Sequence, residues 1–114
     1  MDCEIVLLVE NIDVCRYFYR ETLGLGEPVT DSAFQVVFAL NENSSLVLER
    51  CGAAFLEHAS SACRFTLKPE NPAEFIRHLQ EADLTVNDGF DRSGRKILYI
   101  TDPEGNVIQI LAQE

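Results

Sequence analysis

Residues 101–111 read TDPEGNVIQIL, and how this stretch is read decides the fold. Pro103 suits the second position of a tight turn, Gly105 supplies a positive φ, and Asp102 can hydrogen-bond its own backbone. Val107, Ile108, Ile110 and Leu111 then predict a β-strand in which Gln109 is the one polar residue. Side chains alternate along a strand, so Gln109 is expected on the face away from Ile108 and Ile110.

Working outward, five further segments read as strands: Glu4–Val9, Phe34–Leu40, Leu46–Cys51, Arg64–Lys68 and Ile97–Ile100. Two segments read as helices. The first follows Asn11 as N-cap and carries Cys15, Phe18, Tyr19 and Leu23 at helical spacing, with Gly24 ending it. The second follows Asn71, with Pro72 at the first helical position and Glu74 completing a capping box in which Asn replaces Ser or Thr. Phe75, Ile76, Leu79 and Ala82 form its apolar stripe.

Shifted by 60 residues without gaps, the chain lies over itself. CEIVLLVEN falls on CRFTLKPEN, helix on helix, and NENSSLVLE on TDPEGNVIQ. Identical pairs are few, seven in 54 positions, but strand, cap, helix and turn agree in one register. This predicts an α+β fold of two tandem βαβββ modules, residues 1–52 and 62–114, joined by a connector at 53–61. Neither module is long enough to bury a good core alone. Side by side they are expected to form a half-open curved sheet around a cleft, with the helices outside.

Alternation then sorts the side chains. Ile5, Leu7 and Val9 are expected to face the first helix, and Glu4, Val6 and Leu8 the cleft. Phe65 and Leu67 turn outward; Arg64, Thr66 and Lys68 turn inward. Glu49 shares a face with Val47, Gln109 shares one with Val107, and Ile97 and Tyr99 join them. In this frame Gln109 is the counterpart of Glu49. Phe38 and Phe65 should pack under the helices, as should Cys3 and Cys63.

At 114 residues and 46 % hydrophobic content the chain has room for one ordinary globular domain. No run of 18 apolar residues exists, and the acidic N-terminus does not read as a signal peptide. Cys3, Cys15, Cys51 and Cys63 form neither a CxxC pair nor zinc-ribbon spacing, which reads as reduced thiols in the cytoplasm. A net charge of −10 argues against nucleic-acid binding, and no membrane association is expected. His58 in the connector and His78 on the second helix read as surface or packing residues. Phe55 and Phe90 stand where they could cover the cleft mouth. Arg92, Arg95 and Lys96 read as a solvated hairpin.

Two stretches, VENIDVCRYFYRETLGL and GRKILYITDPEGNVIQI, resemble segments of the vicinal oxygen chelate superfamily. That superfamily includes glyoxalase I, bleomycin-resistance proteins, fosfomycin-resistance enzymes and extradiol dioxygenases. The first stretch is similar to its strand–Asp–helix segment with FY and LGL, the second to its terminal DPxGN hairpin. The resemblance covers essentially the whole chain, is strongest to the short bleomycin-resistance-like members, and implies the paired-module fold and a homodimer.

Metal-dependent members carry ligands at four matched strand positions, which look here like Glu4, Glu49, Arg64 and Gln109. Glu49 matches the ligand pattern. Gln109 replaces a usual glutamate, Glu4 a usual histidine or glutamine, and Arg64 a usual histidine. A guanidinium stays protonated and offers no lone pair, so neither metal nor cofactor is expected. Instead Arg64 could pair with Glu49, Glu4 or both. Two function classes follow. One is a metal-free small-molecule-binding protein of the bleomycin-resistance type, with Glu4, Glu49, Arg64, Tyr99 and Gln109 as ligand-binding residues. The other is a glyoxalase-like lyase or isomerase using Glu49 as metal ligand or general base.

Overall fold

The computed structural model describes residues 1–52 and 63–112. The chain divides into two compact units, Met1–Ser61 and Ala62–Glu114. Phe55, His58 and the rest of the connector lie outside the described residues.

In the first unit, β1 (Cys3–Val9) leads into α1 (Ile12–Tyr17), followed by β2 (Thr30–Asp31), β3 (Gln35–Asn41) and β4 (Ser44–Arg50). The sheet order is β1-β4-β3-β2. β1 runs parallel to β4, and the other pairs are antiparallel. Asn11 caps α1, its side chain accepting from the Val14 N–H at 3.2 Å. After Tyr17 the backbone widens into a π-helical turn, Phe18–Thr22, in which the Leu23 N–H donates to the Phe18 carbonyl at 2.7 Å. The single regular helix expected up to Gly24 is therefore built of two windings. Gly24 follows with φ +84°, a conformation that suits glycine at a helix end.

Cys15, Phe18, Tyr19 and Leu23, expected on the apolar face, are all buried. The Phe18 and Tyr19 rings meet edge to face at 5.1 Å, and Tyr19 also meets Phe38 at 6.3 Å. Leu7, Val9, Val36, Phe38, Leu46 and Leu48 complete this core from the strands. Arg16 ties the helix to β2. It donates to Asp13 (2.6 Å), Asp31 (2.7 Å) and the Ser32 carbonyl (2.7 Å). The hydrogen bond to Asp13 is the largest cause holding its pKa above the usual value, with Asp31 adding to it.

The second unit repeats the order: β5 (Arg64–Leu67), α2 (Pro72–Glu81), β6 (Asn87–Phe90), β7 (Lys96–Thr101) and β8 (Val107–Leu111). Its sheet reads β5-β8-β7-β6, with β5 parallel to β8. Asn71 accepts from the Glu74 N–H at 3.2 Å, as the capping box predicts, and the Glu74 carboxylate accepts from the Asn71 side-chain amide at 3.2 Å where the box has the cap's backbone N–H. Leu79 is the fully buried residue of α2, and Phe65, Leu98, Ile100, Ile108 and Ile110 are buried on the strands.

The α+β architecture of two βαβββ units is thus as expected, and beyond the first helix three further details differ. Two short edge strands, β2 and β6, complete the sheets where the sequence carries no strand pattern. Cys3 and Cys63 are exposed rather than packed in the core. Cys3 opens β1 and Cys63 immediately precedes β5, where burial fades: Ile5 is half-buried, whereas Leu7 and Val9 are buried.

The third difference concerns the repeat. A shift of 60 carries Asn11 onto Asn71 and Val6 onto Thr66, whereas 62 is needed to carry Val37 onto Tyr99 and Val47 onto Gln109. The pairings show this: Val6 faces Val47 and Val47 faces Val37, while Thr66 faces Gln109 and Gln109 faces Tyr99. Gln109 therefore corresponds to Val47, and Glu49 corresponds to Leu111.

Candidate functional site

The turn that opens the terminal strand is a buried polar staple. Asp102 accepts from the backbone N–H groups of Glu104 (2.9 Å) and Asn106 (2.8 Å) and from the Asn106 side-chain amide (2.8 Å). The Asn106 side-chain oxygen in turn accepts from the Cys63 N–H at 2.8 Å, fastening the start of β5 to the hairpin. Both side chains belong to residues only 5 % exposed. Gly105 has φ +89°, which the turn requires. The motif is thus structural: it sets the register of β5 against β8 and so decides which side chains stand beside Gln109.

On the sheet face opposite Leu7, Phe38 and Leu48 in the first unit, and opposite Phe65, Ile100 and Ile108 in the second, three cross-strand rows follow from the register. The first unit carries Glu4–Ser45–Ala39, then Val6–Val47–Val37, then Leu8–Glu49–Gln35. The second carries Arg64–Val107–Thr101, then Thr66–Gln109–Tyr99, with Asn87 extending the latter onto β6. Ile97 and Leu111 make its third row.

The expected site residues fall into place as follows. Glu4 and Arg64 are exposed, and Glu49, Tyr99 and Gln109 are half-buried. Glu49 accepts from the Gln35 side-chain amide at 3.5 Å. Gln109 accepts from the Thr66 hydroxyl at 3.0 Å. Tyr99 and Gln109 are direct cross-strand neighbours, and Arg64 lies one pleat away from their row. Glu4 and Glu49 belong to the first unit and Arg64 to the second. Sequence reasoning did not single out Thr66, Gln35 or Asn87 as site residues. Thr66 was legible as an inward-facing neighbour of Arg64. Nothing in the short NDGF segment marks Asn87.

The donor set does not fit the metal centre of the metal-dependent members. Glu4 faces Ser45, so Glu49 stands four residues further along β4, about 13 Å at the usual strand rise. Side chains stand roughly perpendicular to a sheet, and these two carboxylates do not converge on an ion whose bonds to oxygen are about 2–2.6 Å. In the second unit the matching positions hold a cation and an amide. Among the described residues no group of three or more His, Cys, Asp or Glu side chains could hold a metal.

His78 is an exposed residue of α2. Phe90 is exposed on β6. The basic run is a hairpin turn in which Asp91 accepts from the N–H groups of Ser93 (2.9 Å) and Arg95 (2.8 Å) and pairs with the Arg95 guanidinium at 2.7 Å. The Arg95 backbone hydrogen bond is the main cause holding the Asp91 carboxyl below its ordinary pKa. No helix among the described residues is long and apolar enough to cross a membrane.

No family model and no curated protein matches this sequence. Solved structures do match. A glyoxalase/bleomycin-resistance protein from Catenulispora acidiphila shares 21 % identity over 96 % of each chain, with a TM-score of 0.76. Lactoylglutathione lyase from Agrobacterium tumefaciens shares 21 % over 96 % of this chain and 91 % of its own, with a TM-score of 0.75. A bleomycin-binding protein in complex with bleomycin shares 19 % over 100 % and 99 %, also at 0.75. At these identities the likeness is one of fold. The chain has the fold of the glyoxalase and bleomycin-resistance proteins, as its sequence resemblance implies.

Proposed function

We propose that this protein binds a small organic molecule without a metal, in a cleft lined by Glu4, Glu49, Arg64, Tyr99 and Gln109. The observation that carries this reading is the register. It separates Glu4 from Glu49 by four residues and makes Gln109 the counterpart of Val47 rather than of Glu49. A chelating set needs its donors at one level, and this one has a guanidinium among its members. The residues that remain are hydrogen-bonding and stacking groups, which suit recognition of an organic ligand. The fold likeness to a protein complexed with bleomycin supports a sequestering role. The reading includes a homodimer in the cytoplasm with reduced thiols, to be tested by light scattering and thiol titration.

The fold likeness to a lactoylglutathione lyase favours the second class, a metal-dependent lyase with Glu49 as ligand or general base. One assay separates the two. Purified protein supplied with Ni²⁺, Zn²⁺ or Mn²⁺ is given the hemithioacetal of methylglyoxal and glutathione. The binding reading predicts no turnover above the uncatalysed rate. Turnover that disappears in Glu49→Gln would replace it with the lyase reading.

A further inference from the structure

We infer that the sheet face of the second unit that carries Arg64, Thr66, Gln109 and Tyr99 recognises a carboxylate, so that the ligand is a small organic acid; this rests on the binding reading above. The three rows of that face hold a cation and several donors but no carboxylate. Arg64 contributes a guanidinium with five N–H donors and no acceptor. Within its own unit, among the described residues, it has no ion-pair or hydrogen-bond partner. One pleat along, the Gln109 side-chain oxygen is occupied by the Thr66 hydroxyl at 3.0 Å. That bond turns the amide so that its NH₂ group is left to donate. Tyr99, directly across from Gln109, adds an aromatic ring and a hydroxyl without a partner among the described residues of its unit.

The ring lies beside Gly89 on β6, where a Cβ would meet Tyr99 Cε1 at 3.4 Å, an ordinary contact distance. Arg64 and Gln109 are about two residues apart along the register, roughly 7 Å, within the span of an arginine side chain. A carboxylate presents two acceptor oxygens and takes charge-assisted bonds from a guanidinium. A planar acid can place its carboxylate between Arg64 and Gln109 and its plane on Tyr99. The corresponding face of the first unit is the opposite in charge: it carries Glu4 and Glu49, with no cation in its rows. Of these two faces, the one in the second unit carries the cation.

The test uses three planar probes of similar shape and different charge: benzoate, benzamide and benzylamine. Each is titrated into the full-length, metal-stripped protein and followed by ¹H–¹⁵N NMR, reading the Gln109 side-chain NH₂ and the backbone of β5 and β8. Benzoate should shift these signals and bind at least roughly tenfold more tightly than benzamide. Arg64→Gln should erase that preference while leaving the melting temperature unchanged, because Arg64 is exposed. A preference for benzamide or benzylamine, or no response to benzoate, overturns the inference; binding of either neutral or cationic probe still leaves the binding reading standing. Benzoate binding that appears only with added divalent metal overturns the metal-free reading instead.

Discussion

Val6, Val47 and Val37 form the middle row of the first sheet; Thr66, Gln109 and Tyr99 form the same row of the second. One backbone plan thus carries two chemistries. In the first unit Val47 is 2 % exposed and the row is apolar. In the second, the same level offers a hydroxyl, an amide and a phenol. The two turns differ in the same sense. Cys3 N–H donates to the backbone carbonyl of Asn43 at 2.8 Å, whereas Cys63 N–H is held by the buried Asn106 side chain. The fold tolerates either solution because the sheet hydrogen bonds do not depend on side chains. What the second unit gains is a polar surface whose register is held by a polar staple.

The largest test of this contrast removes that staple. Asp102→Ala leaves two backbone N–H groups and the Asn106 amide without their acceptor in a buried site. The expected loss is about 3 kcal/mol of unfolding free energy, measured by urea denaturation. Asn41→Ala, which deletes the exposed side-chain bond to the Asn43 N–H in the first unit, should cost about 1 kcal/mol or less. Equal losses would mean the two turns are not different in kind.

Exchanging the middle rows comes next. Val47→Gln buries an amide among apolar neighbours and should cost about 2–3 kcal/mol. Gln109→Val should change stability by less than about 1 kcal/mol, because it removes a half-buried amide and its one hydrogen bond. Melting curves of the two variants check both, and a stable Val47→Gln protein would break the contrast between the rows.

The smallest effect is in the outer turns. Ser32 holds the β2–β3 turn through its hydroxyl, accepting from the N–H groups of Phe34 (3.2 Å) and Gln35 (3.0 Å). Asp91 holds the β6–β7 turn through a carboxylate. Its folded pKa is depressed below the ordinary 3.8, so its contribution is present above that value and is lost as pH falls through the folded pKa. Acidification should therefore loosen the Ser93 and Arg95 amides before those of Phe34 and Gln35, read by NMR. Simultaneous loosening would contradict the assignment.

Much of this was legible in the sequence. The caps at Asn11 and Asn71, the buried residues of the first helix and the DPEGN turn each have a local cause, and each stands where pattern reading put it. The frame of the repeat was not legible, for a definite reason. Strand side chains alternate with period two, so sliding β4 on β8 by two residues keeps every side chain on the same face. A shift of 60 lays Val47 on Val107 and Leu48 on Ile108. A shift of 62 lays Leu46 on Ile108 and Leu48 on Ile110. Both respect the faces, and only the hydrogen-bonded register separates them. β2 is two residues long and β6 has no alternation, so neither carries a periodic signal. The face of each candidate residue could be read from sequence; its level along the strand could not.

That level is what separates a chelating site from an organic-ligand site. Calorimetric titration of the metal-stripped protein with Zn²⁺, Ni²⁺ and Mn²⁺ tests it most directly. The account predicts no saturable binding near one ion per chain, in wild type and in Glu49→Gln alike. Stoichiometric binding that is lost in both Glu49→Gln and Gln109→Leu would contradict it.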